Sequence, residues 1–450
     1  MLNPSENRKI WMKDVEANRE LMEGRVKEDI ERYRKGWCKL RFVDGEGNPL
    51  KHYKVELNQI SHDFGFGANL FMLDEFEQQE YNDTYRELFK DYFNLATIPF
   101  YWDTLEPEKG KPRYDKNSPK VYRRPAPELC MEYCEENGVT PKLHCLIYDK
   151  FMPKWLPLQD MKAMEGWYEE RFRQISERFS GRMLEFEVIN EILCFYDYKS
   201  VIPQKHDLVE WCFDLARKHF PDETLVINEG NPLLALADQG YRNPYFMLIE
   251  KALNNGASID KIGLQHHVFT GVCSVDDEDY ERTVKSGDPS FNPEKILRGL
   301  DKIAEFGLPL EITEVTVPTF GDTPEDEELQ ADLLETLYRV WFSHPAVTDV
   351  VYWNLPDGYA FDDKSGRLWN ENKCRGGLFH HDLTPKKAAL RLKKLLQEEW
   401  HTQLELETDE NGYVEFRGFY GDYTAAGNLF AAEFGIHKGD ASVTEIQIKK

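Results

Sequence analysis

The chain has 450 residues, 41% hydrophobic and 30% charged, and its 56 basic against 81 acidic side chains leave a formal charge of −25 at pH 7. No apolar run approaches the roughly 20 residues needed to span a bilayer, and a field of this sign repels phosphate backbones and anionic lipid, which argues against a membrane or a nucleic acid as partner. The length suits one (β/α)8 barrel of about 250 to 400 residues with a small appendage.

Near the N-terminus, Trp11, Val15, Met22, Val26, Ile30 and Tyr33 recur at intervals of three, four or seven, which predicts one long helix over 8–34. Residues 38–60 then alternate apolar and polar around a Gly-rich turn and predict a β-hairpin. From there, eight short apolar runs alternate with helical patterns: 64–69, 94–100, 140–146, 185–190, 224–230, 261–267, 308–314 and 349–355. Repeated β-α units of this kind predict an α/β chain folded as a TIM (β/α)8 barrel over 63–400. After a helix at 385–400 the alternation returns, with Asn411-Gly412 as a turn between two strands. Segments 1–62 and 401–450 are each too short to bury a core alone, so they are expected to combine into one accessory β module. Tyr413, Phe416, Phe419 and Tyr420 are candidates there for glycan contact, against the plainer expectation that they form the module's own core.

The eight cysteines, Cys38, Cys130, Cys134, Cys145, Cys194, Cys212, Cys273 and Cys374, form no C-x-x-C pair. Buried free thiols in a reducing compartment are expected, and with the polar start MLNPSENRKIW they predict a cytoplasmic location, or secretion if a leader has been removed. No Gly-rich phosphate loop is present, so no nucleotide or organic cofactor is expected. His144, Asp149, His266, His267 and Glu314 are the candidates for a metal site, but they lack H-E-x-x-H or H-x-H spacing and no metal is expected.

The fourth run ends in Asn190-Glu191 and the seventh in Thr313-Glu314, which brings two carboxylates to strand ends nearly opposite each other on the ring. Barrel enzymes place their chemistry at that end. Breaking a glycosidic bond with retention needs such a pair, one acid to protonate the leaving oxygen and one carboxylate to attack, about 5 to 5.5 Å apart. Strict alternation puts Glu311 and Glu314 on different faces, and Glu314 lies nearer the mouth.

Residues 63–398 resemble glycoside hydrolase family 10, the β-1,4-xylanase family. Its V-x-N-E segment corresponds to Val188–Glu191 and its I-T-E segment to Ile312–Glu314. The resemblance implies Glu191 as general acid/base and Glu314 as nucleophile. It also implies substrate contacts from Asn190, His144, Gln265, His267, Trp102 and the aromatic platform Trp353. The sequence departs from the family where Tyr101 follows Pro99-Phe100 in place of a Glu-Asn and a Lys. It departs again where Tyr148-Asp149 replace a Trp and a His, and where Phe361 replaces a Trp, so that Tyr101, Tyr148, Asp149 and Phe361 are the candidates for substrate contact at those places. The implied function is a retaining, endo-1,4-β-xylanase-like hydrolase of β-linked xylo-oligosaccharides or a related plant-type oligosaccharide. The alternatives are an exo-acting β-glycosidase of other specificity and a non-catalytic carbohydrate-binding protein on the same barrel. The sequence does not fix an oligomeric state.

Overall fold

The computed structural model describes residues 3–194, 198–269, 289–362, 370–428, 430–439 and 443–447. In place of one long N-terminal helix the chain forms short segments, Pro4–Trp11, Lys13–Ala17, Arg19–Leu21, a π-helical turn Met22–Val26, and Lys27–Arg34. One break falls at Asn18, whose side-chain amide turns back on the Asp14 carbonyl at 2.8 Å, a local bond that competes with the helix ladder. Trp11, Val26 and Ile30 still bury on the shared face. The last segment ends at Arg34, a buried guanidinium that donates to the carbonyls of Phe342, His344 and Val347 beneath the barrel.

Fifteen strands are described. β1 (Lys35–Val43) and β2 (Lys54–Gln59) precede the barrel. The barrel itself comprises β3 (Gly65–Asn69), β4 (Leu95–Pro99), β5 (Thr140–His144), β6 (Glu185–Asn190), β7 (Thr224–Glu229), β8 (Lys261–His267), β9 (Leu310–Thr316) and β10 (Val347–Tyr352). β11 (Gln403–Glu407), β12 (Tyr413–Phe419), β13 (Gly421–Gly427), β14 (Phe430–Ile436) and β15 (Val443–Gln447) follow it. β3 to β10 close in chain order into a parallel barrel, each on one of the eight apolar runs, and helices such as Gln79–Tyr92 and Pro324–Ser343 cover the outside. Burial on both faces explains why these strands read as continuous apolar runs. No helix among the described residues is long and apolar enough to cross a membrane.

The expected 38–60 hairpin forms only at its turn, where Val43 bridges Pro49 antiparallel and the Leu50 N–H donates to the Phe42 carbonyl at 3.0 Å; beyond it the two strands part. β1 pairs with β12 and β15, whereas β2 pairs with β11 and β13 in a second sheet. Leu40 and Phe42 of one sheet and Val55 and Leu57 of the other bury in one core with Phe416 and Tyr423. Alternation had to satisfy that inner face, and it could do so without β1 and β2 pairing with each other. The Asn411-Gly412 turn likewise joins strands of different sheets. Gly412 has φ 79°, and a Cβ there would lie 2.5 Å from the Phe42 carbonyl oxygen, which excludes larger residues. Phe416 and Phe419 are core residues, so they offer no glycan surface.

Cys38, Cys130, Cys134, Cys145 and Cys212 are free and buried, but Cys194 is exposed and Cys374 is disulfide-bonded, contrary to the expectation of buried thiols throughout. Cys273 lies outside the described residues. A persistent disulfide belongs to an oxidising compartment, so cysteine usage no longer argues for the cytoplasm.

Candidate active site

Breaks in strand register build the site. The β6/β7 ladder shifts between Glu187 and Ile189, and the β8/β9 ladder between Gly263 and Gln265. An extra residue cancels the two-residue alternation, so residues three apart can face the same way. Glu311 and Glu314 therefore both point into the barrel, contrary to the strict-alternation expectation: Glu311 meets Lys142 of the non-adjacent β5 at 2.5 Å, and Glu314 stands above it at the mouth. Glu191 leaves β6 with φ 53°, in the left-handed region, while its N–H donates to the Asn228 carbonyl at 3.1 Å. Glu229, at the end of β7, accepts from the Leu193 N–H at 2.8 Å and the Cys194 thiol at 2.9 Å, which fixes the turn that carries Glu191.

The side-chain amide nitrogen of Gln265 lies 2.9 Å from Glu191 Oε1 and 2.8 Å from Glu314 Oε1. Those two distances hold the carboxylate oxygens within about 6 Å of each other, the retaining range and not the wider separation that admits a water between sugar and base. Glu314 also accepts from Asn228 Nδ2 at 3.2 Å and contacts His267 Nε2 at 3.1 Å. Burial pushes the His267 imidazole down to about 4, so it is neutral. With Thr316 Oγ1 on Nδ1 at 2.9 Å, its Nε2–H can point at Glu314.

Burial pushes Glu314 well above the usual carboxylate range; His144 pulls it down, and Glu191 and Glu187 push it up again. Burial alone would lower His144, but Glu187, 2.9 Å from its Nδ1, raises it overall. The Tyr148 hydroxyl donates to Glu191 Oε2. Asn190 accepts from Asn228 at 3.0 Å and from Gln265 at 3.3 Å through its oxygen, which leaves its amide N–H groups for a ligand.

These groups open into a cavity of about 750 Å³. Of the residues predicted from sequence, Glu191, Glu314, Asn190, His144, Tyr148, Asp149, Gln265, His267, Tyr101, Trp353 and Phe361 all line it. Trp102 does not. It lies buried behind the wall against Tyr168, with its indole N–H on Glu106 at 3.1 Å. Asp149 reaches the wall, but its carboxylate accepts from the Lys199 and Ser200 backbone and the Ser200 hydroxyl, so it holds a neighbouring segment. Trp353 stands edge-on to Phe71 and His144, both with centroids 5.2 Å away, and Tyr101 bonds His144 Nε2 at 3.0 Å.

Sequence reasoning missed Asn228, Glu187, Phe71, Arg123, Arg124 and Glu371. Asn228 lies near the top of β7 and could have been found by position, whereas Glu187 lies mid-strand in β6; Phe71, Arg123 and Arg124 stand on loops without periodicity, and Glu371 opens the short 3-10 turn Glu371–Cys374. The five residues weighed as metal ligands do not converge, because His266 turns outward to the Ser290 carbonyl at 2.9 Å. Among the described residues, His144, Cys145 and Glu187 bring ligand atoms within 4.8 Å of one another. His144 is already engaged by Glu187 and Tyr101, and burial holds the Cys145 thiol protonated, a poor fit for a metal.

Residues 58–394 match the profile of Glycosyl hydrolase family 10. The chain belongs to this family. Family 10 relatives include the endo-1,4-beta-xylanase B of Thermotoga neapolitana, 24% identical, with 78% of this chain and 92% of that protein covered. Endo-1,4-beta-xylanase 2 of Arabidopsis thaliana is 23% identical over 90% of this chain and 34% of its own length. A protein named Anti-sigma-I factor RsgI6, from Acetivibrio thermocellus, is 26% identical over 88% of this chain and 45% of its own length. The chain thus spans less than half of several longer relatives. Among solved structures, xylanase 10B of Thermotoga petrophila RKU-1 in complex with xylobiose superposes with TM-score 0.57 at 20% identity, covering 75% of this chain and 95% of that one, which supports the barrel fold.

Proposed function

We propose that the chain is a retaining, endo-1,4-β-xylanase-like glycoside hydrolase acting on β-linked xylo-oligosaccharides or a related oligosaccharide. The observation that carries this reading is the Gln265 amide bonded to both Glu191 and Glu314, which sets them at the separation double displacement requires. In the first step Glu191 gives its proton to the leaving oxygen while the Glu314 carboxylate attacks the anomeric carbon from the other face. The C–O bond to the leaving sugar breaks and a glycosyl ester forms. In the second step the Glu191 carboxylate takes a proton from a water whose oxygen attacks the same carbon, and Glu314 leaves as a carboxylate.

Three N–H donors around Glu314 favour its anionic form for attack. The free amide N–H of Asn190 suits the 2-hydroxyl of the sugar under attack, a bond that strengthens as charge develops. Trp353 supplies apolar surface for a ring face.

A second reading is a non-catalytic carbohydrate-binding protein on the same barrel, favoured by one relative that carries the name of an anti-sigma factor and not of a hydrolase. One experiment separates the two. Glu314→Ala should abolish hydrolysis of an aryl β-xyloside, and added azide should restore a glycosyl azide of opposite anomeric configuration. Normal turnover by Glu314→Ala would remove the nucleophile assignment, and a wild-type chain that binds xylo-oligosaccharides without cleaving any would support the binding reading.

A further inference from the structure

Arg123 and Arg124 are consecutive, yet both line the catalytic cavity. Arg123 has φ 61°, a left-handed conformation that costs a non-glycine residue energy and here brings neighbouring guanidiniums to one wall. Arg123 is 5% exposed and uses its terminal nitrogens on the Tyr359 carbonyl and on Asn354 Oδ1, at 3.1 Å for the latter, while its Nε–H has no partner among the described residues. Arg124 lies flat over Tyr101, with its guanidinium carbon 4.0 Å from the ring centroid. Its Nη1 donates to the Arg123 carbonyl at 2.8 Å, and its Nε is enclosed by protein with no hydrogen-bond partner among the described residues. Its Nη2 donates to no described residue, which leaves one charged N–H group for a ligand carboxylate.

The other charges facing this wall are Asp103, Glu371, Asp149, Lys150 and Lys199. Glu371 is occupied by Asn354 at 3.0 Å, and Asp149 by the Ser200 segment. Asp103 makes no ion pair with Arg124 among the described residues, although each feels the other's charge. Lys150 sits over the Phe361 ring at 5.4 Å and adds positive charge. In a chain of formal charge −25, the acidic cavity thus carries one locally cationic wall. Burial pushes Arg124 down to about 10, a cost that a bound anion would offset.

We infer that Arg124, backed by Arg123, forms a subsite for a carboxylate-bearing sugar, so that the preferred substrate is a β-linked oligosaccharide substituted with a uronic acid. This inference rests on the hydrolase reading above. A neutral sugar could accept a bond from Arg124, but it would leave the guanidinium charge unmatched.

The test compares kcat/KM and binding for three probes: neutral xylo-oligosaccharides, the same oligosaccharides with glucuronosyl branches, and the branched set with the carboxylates methyl-esterified. The acid form should be preferred over its ester and over the neutral chain by about tenfold or more, the loss expected for a charged hydrogen-bonding pair. Arg124→Met should remove that preference, so that acid, ester and neutral probes are bound and cleaved to within about threefold of one another. Equal treatment of acid and ester by the wild-type chain would overturn the subsite, and needs no variant to fold. Equal weakening of all three probes in Arg124→Met would overturn it too. Cleavage of neutral chains without acid preference would sink this inference alone, whereas no cleavage of any probe would sink the hydrolase reading beneath it.

Discussion

Glu191 and Glu314 hang from a single nitrogen, the Gln265 side-chain amide, at 2.9 and 2.8 Å. Gln265→Ala should remove the donor that relieves repulsion between them. The carboxylate that must be ionised for attack would then keep its proton to higher pH, so the acid limb of the kcat/KM profile should move upward, with turnover reduced by about 10- to 100-fold. An unchanged profile would mean that the amide only fills space.

Glu191→Gln separates the two carboxylates by leaving group. Loss should reach about 10²- to 10⁴-fold for unactivated oligosaccharides, which need protonation of the departing oxygen, and should be slight for bond cleavage in activated aryl glycosides. Equal losses on both classes, measured by the burst of aryl alcohol, would remove Glu191 as the acid.

Asp149→Ala should damage stability more than chemistry. Its carboxylate ties the Lys199–Ser200 segment to the cavity wall, and hydrogen bonds to a charged group each contribute about 1.5 to 3 kcal/mol. A fall of about 2 kcal/mol in unfolding free energy with a raised KM and near-normal kcat is expected. A collapse of kcat with unchanged stability would instead place Asp149 at the reacting bond.

His62 makes the fold acid-sensitive. Burial pushes its imidazole down to about 3, and it takes the Phe64 N–H at 3.1 Å in its neutral form. The unfolded chain binds a proton there below about pH 6.5, while the folded chain refuses it until about pH 3. This contribution is therefore intact above pH 6.5 and lost progressively as pH falls through that window, reaching about 2 kcal/mol at pH 5. Denaturant midpoints at pH 7 and pH 5 should differ less in His62→Asn than in the wild-type chain, and an equal difference would clear His62.

The barrel was legible because strands buried on both faces leave contiguous apolar runs, and all eight runs became its staves. The candidate pair, Glu191 and Glu314, was legible because both carboxylates end such runs. Register shifts at Glu187/Ile189 and Gly263/Gln265 add a residue without altering hydrophobicity, so the inward turn of Glu311 left no trace in the pattern. Alternation in 38–60 reported which side chains face a core but not which strand lies alongside. Trp102 and Asp149 were placed by their positions in the resemblance, yet their bonding partners, Glu106 and Ser200, decide what they do. Arg123 and Arg124 sit in a loop where no period exists to be read.

Leu40 of β1 is matched with Val414 and Thr444, roughly 370 and 400 residues further along. At a synthesis rate of about 5 to 20 residues per second, the first strands wait tens of seconds on the ribosome before their neighbours exist. The barrel can close during that wait, and the sandwich must be the last thing to assemble. A polypeptide interrupted before Tyr413 would carry a finished barrel trailing β1 with both edges bare and β2 with one, ready to recruit the same edges from another unfinished copy.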